Sequence, residues 1–228
     1  MEKQHHPKKN DSQVDRIVFF SDAVFAIAIT LLVIDLKVPK IEGAISDHNF
    51  LVALANEIPQ LGGFILSFFI IGLYWSVHHS IFGFVVNYSK KLVWLNLVFL
   101  FTIALMPFST AVYSEYSFSE KYFNLLGPFG VYVFNIVMIG TMNFVLLKYI
   151  FNPKNDIAES FTENYAKFRK IRSFAVPAVF TIALLVGFIN AIFGRYLLFL
   201  IPFVMTFLGR LERSQMKKAA LKDNFPKL

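Results

Sequence analysis

The residues with the widest chemical reach sit near the start of the first apolar run. Ser21 and Asp22 follow Arg16 by little more than one helical turn, in a segment otherwise built from Val, Phe, Ala and Ile. Trp75, His78 and His79 close the next long apolar run, and Trp94 and Asn96 open the one after it. A carboxylate, a hydroxyl, an amide, imidazoles and indoles can form a hydrogen-bond network with Asp22 as acceptor, relay a proton, or hold an ion. The plainer reading is that they pin neighbouring helices together. Metal binding fits poorly, because adjacent histidines on a helix point about 100° apart. The chain has no cysteine, so disulfides, thiolate nucleophiles and Cys-based metal sites are excluded. Walker, Gly-x-Ser-x-Gly and metalloprotease signatures are missing, as are a Thr-Val-Gly-Tyr-Gly filter and an Arg-rich voltage-sensor helix. An enzyme is therefore not expected, and neither is a cofactor.

The elements that must position these groups follow from hydropathy. The 228 residues are 56% hydrophobic and only 16% charged, and the ends and a few loops carry almost all the charges. A bilayer imposes that segregation, since a charge at mid-membrane costs roughly 2.5–3.5 kcal/mol even on lenient scales. A spanning helix needs about 20 mostly apolar residues. Six segments qualify, at 17–38, 57–84, 92–112, 124–150, 173–192 and 194–209, the last two joined by a turn around Ala191 to Arg195. The first carries Asp22, is longer than a signal-peptide core and lacks a small-x-small cleavage site, so it reads as a retained helix. The fold class is an all-α membrane protein with six transmembrane helices per chain. Residues 1–15 form an N-terminal segment, 16–210 the membrane domain and 211–228 a basic tail.

Lysine and arginine test that layout, because short cytoplasmic segments are enriched in them. The N-terminus has Lys3, Lys8, Lys9 and Arg16; the second loop Lys90 and Lys91; the fourth Lys148, Lys154, Lys167, Arg169, Lys170 and Arg172; the tail Arg210, Arg213, Lys217, Lys218, Lys222 and Lys227. Only Lys37, Lys40, Lys121 and Arg195 fall on the other side. The bias places both termini in the cytoplasm and explains the net charge of +7 without nucleic acid. The polar stretch 152–172 reads as a solvated connecting helix, or as one lying on anionic head groups.

The first helix has two faces. At about 100° per residue, Ala23, Ile27, Thr30, Leu31 and Ile34 share one side and Asp22 lies about 140° away from Ile27. Ala26 and Thr30 add a small-xxx-small spacing that permits close helix approach. The stripe fits ordinary core or lipid packing. It also fits a ring of isoleucines that gates by dewetting, which one chain cannot make alone, so that reading demands an oligomer with helix 1 on its axis.

The run Arg16-Ile-Val-Phe-Phe20-Ser21-Asp22-Ala-Val-Phe-Ala-Ile27-Ala-Ile-Thr30 resembles the start of the lysosomal potassium channel family known as transmembrane protein 175. Tyr74-Trp75 with His78-His79, Trp94-Leu95-Asn96-Leu97 and Pro107-Phe108 support the likeness, which is motif-specific over about 16–110. A single six-helix unit resembles the prokaryotic branch. The resemblance implies a homotetrameric, potassium-permeable channel of the plasma membrane, with monovalent cations as permeant species and lipid as surroundings. It implies that helix 1 lines the pore, that Ile27 is the narrowest ring, and that Thr30 or Leu31 and Ile34 form further layers. Arg16, Phe20, Ser21, Asp22, His78 or His79, Trp94 and Asn96 would hold the helices together beside the pore. Asp35, at the outer end of helix 1, is either a cation-concentrating group or a solvated charge. Two other classes stay open: a proton-coupled secondary transporter that uses Asp22 and the histidines, and a membrane scaffold with no flux.

Overall fold

The computed structural model describes residues 7–34, 36–41, 43–117, 122, 125–201 and 203–211. Asp35 and the tail 212–228 lie outside them. The elements are α1 (Pro7–Ile34), α2 (Asp47–Asn56), α3 (Ile58–Phe82), α4 (Lys90–Ala104), α5 (Met106–Ser117), α6 (Gly127–Ile150), α7 (Glu163–Arg172), α8 (Ala175–Gly187) and α9 (Ala191–Tyr196). Among the described residues there are no strands, only an isolated antiparallel bridge between Val85 and Ala158.

Five helical stretches are long and apolar enough to cross a membrane: Gln13–Ile34, Gln60–Phe82, Lys90–Tyr116, Gly127–Ile150 and Glu163–Gly187. The chain is a multi-pass membrane protein. The sixth predicted span, 194–209, runs through α9, a 3-10 turn at Leu197–Leu200 and helical residues 201 and 203–211. It does not reach the length and apolarity of the other five among the described residues.

The sequence explains where the helices stop. Ser89 accepts from the Leu92 amide at 3.0 Å and so caps α4. Pro107 lacks the amide that would bond back into the preceding turn, and the third span breaks at Leu105 into α4 and α5. Pro59 sits in the first turn of α3, directly after the break at Glu57 that separates it from α2. The turn expected at Ala191 to Arg195 lies earlier, because Asn190 accepts from the amides of Ile192 and Phe193 and starts α9 at Ala191. The α8–α9 hairpin is tight. A Cβ on Gly194 would lie 2.6 Å from the Ala183 carbonyl and 2.7 Å from the Gly187 Cα.

α1 packs on α3, α4 and α5, while α6 packs on α4, α5 and α8. The core is aromatic and β-branched: Phe25, Ile71, Phe99, Ile103, Tyr132, Ile136 and Phe180 are all essentially inaccessible. Several hydroxyl and amide groups within it are paired in short chains, as where Thr110 donates to Ser67 at 2.8 Å and Ser67 meets the Tyr132 hydroxyl at 2.7 Å. Such pairing offsets the cost of polar groups in a membrane interior. At one end of the bundle the α3–α4 loop is clamped from below. The Val86 amide donates to the Ile157 carbonyl at 2.9 Å, the Glu159 amide to Phe84 at 3.0 Å, and the Asn87 side chain to the Asp156 carbonyl at 2.7 Å. The stretch 152–172 is thus a docked loop followed by α7, which continues through a bend at 173–174 into α8.

Candidate channel subunit and its polar network

Ser21 is the hinge of the network. Its Oγ donates to the Ile17 carbonyl one turn back at 2.7 Å, which spends the only proton it has. It therefore accepts from Asn96 Nδ2, at 2.9 Å across the α1–α4 contact. That fixes the amide: Asn96 Oδ1 faces His78 Nε2 at 2.8 Å and accepts from it. The imidazole thus serves as a donor through Nε2, and Nδ1 is buried without a partner. Phe25 and Phe99 flank the ring, with centroids 5.6 and 5.9 Å away, and Phe82 stacks on it at 4.2 Å. Ser21, His78 and Asn96 are each at most 1% exposed, so three helices are tied through three side chains in a dry setting.

Asp22 belongs to a second, separate contact. Trp75 Nε1 donates to its Oδ1 at 2.9 Å, and the indole in turn stacks on His79 at 5.8 Å. Trp75 is the partner that the residue types alone did not single out for this role. Its signal was positional, since it precedes His79 by one turn of the same helix. The two histidines divide, with His78 in the buried set and His79 on the exposed side. Trp94 does not join either contact and is 69% exposed, because α4 turns Asn96 inward and Trp94 sits about 200° from it. Arg16 and Phe20 are exposed as well. Among the described residues no group of three His, Asp or Glu side chains is placed to hold a metal.

α1 divides its circumference between these contacts and open surface. Val14, Ser21, Phe25, Ala28 and Leu32 are buried. Ala23, Ala26, Ile27, Thr30, Leu31 and Ile34 are exposed on a single chain, Ile27 by 57% and Ile34 by 72%. Thr30 Oγ1 donates back to the Ala26 and Ile27 carbonyls, both at 3.0 Å, so its lone pairs are what it presents outward.

Residues 16–107 match the family model described as endosomal/lysosomal potassium channel TMEM175. A crystal structure of a lysosomal potassium-selective channel TMEM175 homolog from Chamaesiphon minutus superposes with a TM-score of 0.71 at 26% identity, over 87% of this chain and 98% of that one. The chain is similar to TMEM175 channels in sequence over residues 16–107 and in fold over most of its length. A potassium channel of Streptomyces collinus is 36% identical over 124 residues, 54% of this chain and 57% of its own length. The chicken endosomal/lysosomal proton channel TMEM175 is 35% identical over 115 residues, 48% of this chain and 23% of its own. The matched stretch thus spans little more than half of the Streptomyces protein and under a quarter of the chicken one. These relatives are named as ion channels, not as enzymes. The residues covered by the TMEM175 match include all of α1 from Arg16, together with α3 and α4, which carry the Ser21–Asn96–His78 and Asp22–Trp75 contacts.

Proposed function

We propose that four copies of this chain assemble around α1 as a potassium-permeable cation channel of the plasma membrane, with six spans per chain and both termini in the cytoplasm. The observation that carries this reading is the two-sidedness of α1. One face is fixed by buried hydrogen bonds to α3 and α4, and the other leaves Ile27, Thr30, Leu31 and Ile34 exposed among the described residues. Symmetry-related copies of that face make a pore whose narrowest ring is Ile27. The Thr30 oxygens, their protons tied to the helix, supply lone pairs to an ion that sheds part of its water one turn away. The Ser21–Asn96–His78 set keeps the Ile27 face turned toward the axis. Arg16, Phe20, Asp22, His79 and Trp94 line the same level, where exposed groups meet a neighbouring copy.

The decisive experiment is cation flux from proteoliposomes holding potassium, against sodium and then N-methylglucamine outside. A rapid potassium-driven voltage that changes in conductance or selectivity in Ile27→Asn supports the pore, because an amide at the ring wets the constriction. Unchanged flux in that variant removes Ile27 from the path. The name of the chicken relative motivates a second readout, proton entry under a pH gradient with no permeant metal cation. Proton flux that is lost in Asp22→Asn but keeps its magnitude in Ile27→Asn favours a relay through the polar groups over a shared pore.

A further inference from the structure

The channel reading leaves the buried Tyr74 hydroxyl without a role. The Tyr74 hydroxyl on α3 is enclosed, in a residue 3% exposed, and finds no hydrogen-bond partner among the described residues. Orphaned buried hydroxyls are uncommon and each calls for a ligand or a water. It lines a cavity of about 20 Å³ at the junction of α3, α6 and the α7–α8 bend, together with Asn143, Arg169 and Arg172. That volume admits one water or one ligand oxygen. Two guanidiniums in the wall favour the negative atom. Arg169 also holds α7 to α3: its Nη2 donates to Ser80 at 3.0 Å and its guanidinium lies 5.0 Å over the Tyr165 ring.

The depth of the cavity selects the ligand. Tyr74 is about 12 Å along the helix from the end of α3 at Phe82, and Asn143 about 10 Å from the end of α6 at Ile150. Both ends belong to the basic end of the bundle. Ser173 and Val176 complete the buried wall, and Leu73, Val77 and Met205, half-exposed and apolar, suit an acyl chain running outward along the bundle. Basic pockets between transmembrane helices on the cytoplasmic side take anionic lipid head groups. We propose that an anionic phospholipid sits here, its phosphate bridging Arg169 and Arg172 and one phosphoryl oxygen accepting from Tyr74. Occupancy joins α7 to α3 just beyond His78. The proposal stands on binding alone and does not depend on whether the chain conducts.

The test is thermal unfolding of the purified protein in a non-ionic detergent, with phosphatidylglycerol, phosphatidylcholine or inorganic phosphate added at matched concentration. Phosphatidylglycerol should raise the wild-type midpoint by roughly 3–5 °C. The shift should largely vanish in R169Q/R172Q, shrink in Y74F, and persist in K90Q, which removes an exposed cation outside the cavity. An equal shift in R169Q/R172Q, or an equal shift of the wild type by phosphatidylcholine, overturns the proposal. A phosphate shift that matches phosphatidylglycerol and needs the same arginines assigns the cavity to free anions and overturns the lipid. Should R169Q/R172Q not fold, native mass spectrometry of Y74F and R169K/R172K counts the phosphatidylglycerol retained per chain. Fewer copies than in K90Q supports the site, and equal numbers remove it.

Discussion

At the scale of single residues, the network is a matter of proton direction. Ser21 has one proton and gives it to Ile17, so Asn96 must donate to Ser21 and accept from His78. Asn96 is the member that joins the other two side chains of the set. Asn96→Leu leaves a buried imidazole donor and a hydroxyl acceptor unmatched, and should cost about 2–4 kcal/mol, seen as a lowered unfolding midpoint. Ser21→Ala deletes the weaker acceptor and should cost about 1 kcal/mol. The Asp22–Trp75 contact shares no atom with this set. A double-mutant cycle of Asp22→Asn with Trp75→Phe should therefore show coupling above about 0.5 kcal/mol, while Asn96→Leu with Trp75→Phe should be nearly additive. Coupling of equal size in both cycles would mean one merged network. The buried set was legible in the sequence because alternating spans put residues 21, 78 and 96 at one depth. Which histidine turned inward was not, since neighbours 100° apart are separated only by helix rotation. Trp94 shared the depth and not the direction, and that Trp75 supplies the indole for Asp22 followed only from the α1–α3 contact.

At the scale of elements, hydropathy delivered five of the six expected spans because the bilayer rewards uninterrupted apolar length. The boundaries obey shorter-range chemistry. Pro107 and Pro59 explain the breaks at Leu105 and Glu57, and both are readable as missing donors. The docking of residues 152–162 under the α3–α4 loop was not readable, since it depends on single backbone bonds between segments 70 residues apart and leaves no periodic trace. Nor was α2 anticipated, a helix whose apolar residues Phe50, Leu51 and Leu54 are exposed on a single chain. The last hairpin rests on backbone contact. Gly194→Ala forces a methyl against the Ala183 carbonyl and the Gly187 backbone, where no flexible side chain can yield. It should cost about 1–3 kcal/mol and lower the yield of folded protein on size-exclusion chromatography. Gly209→Ala meets nothing within 4 Å and should be neutral or stabilising by up to about 1 kcal/mol. Equal behaviour of the two would show that α9 does not approach α8 so closely.

At the scale of the whole molecule, the question is what covers the open face of α1. Lipid would cover it in an isolated subunit, and other copies of α1 would enclose water against it in a channel. The absence of cysteine makes the distinction measurable, because any introduced thiol is unique. Single cysteines at Ala23, Ile27, Thr30, Leu31 and Ile34 should react with a charged, water-soluble thiol reagent and lose flux on modification. Ala28 and Leu32, packed inside the subunit, should not. Residues 23 to 34 thereby predict a reactivity pattern with the period of a helix, about 3.6 residues, rather than a uniform gradient with depth. Reaction confined to Ile34, with Ala23 to Leu31 modified only by an uncharged, membrane-permeant maleimide, would put lipid against the face and leave the helix outside any pore. Reaction at Ala23 and Ile34 from opposite sides, with Ile27 slow between them, would locate the dry ring at Ile27, since a dewetted constriction excludes the charged reagent as it excludes the hydrated ion.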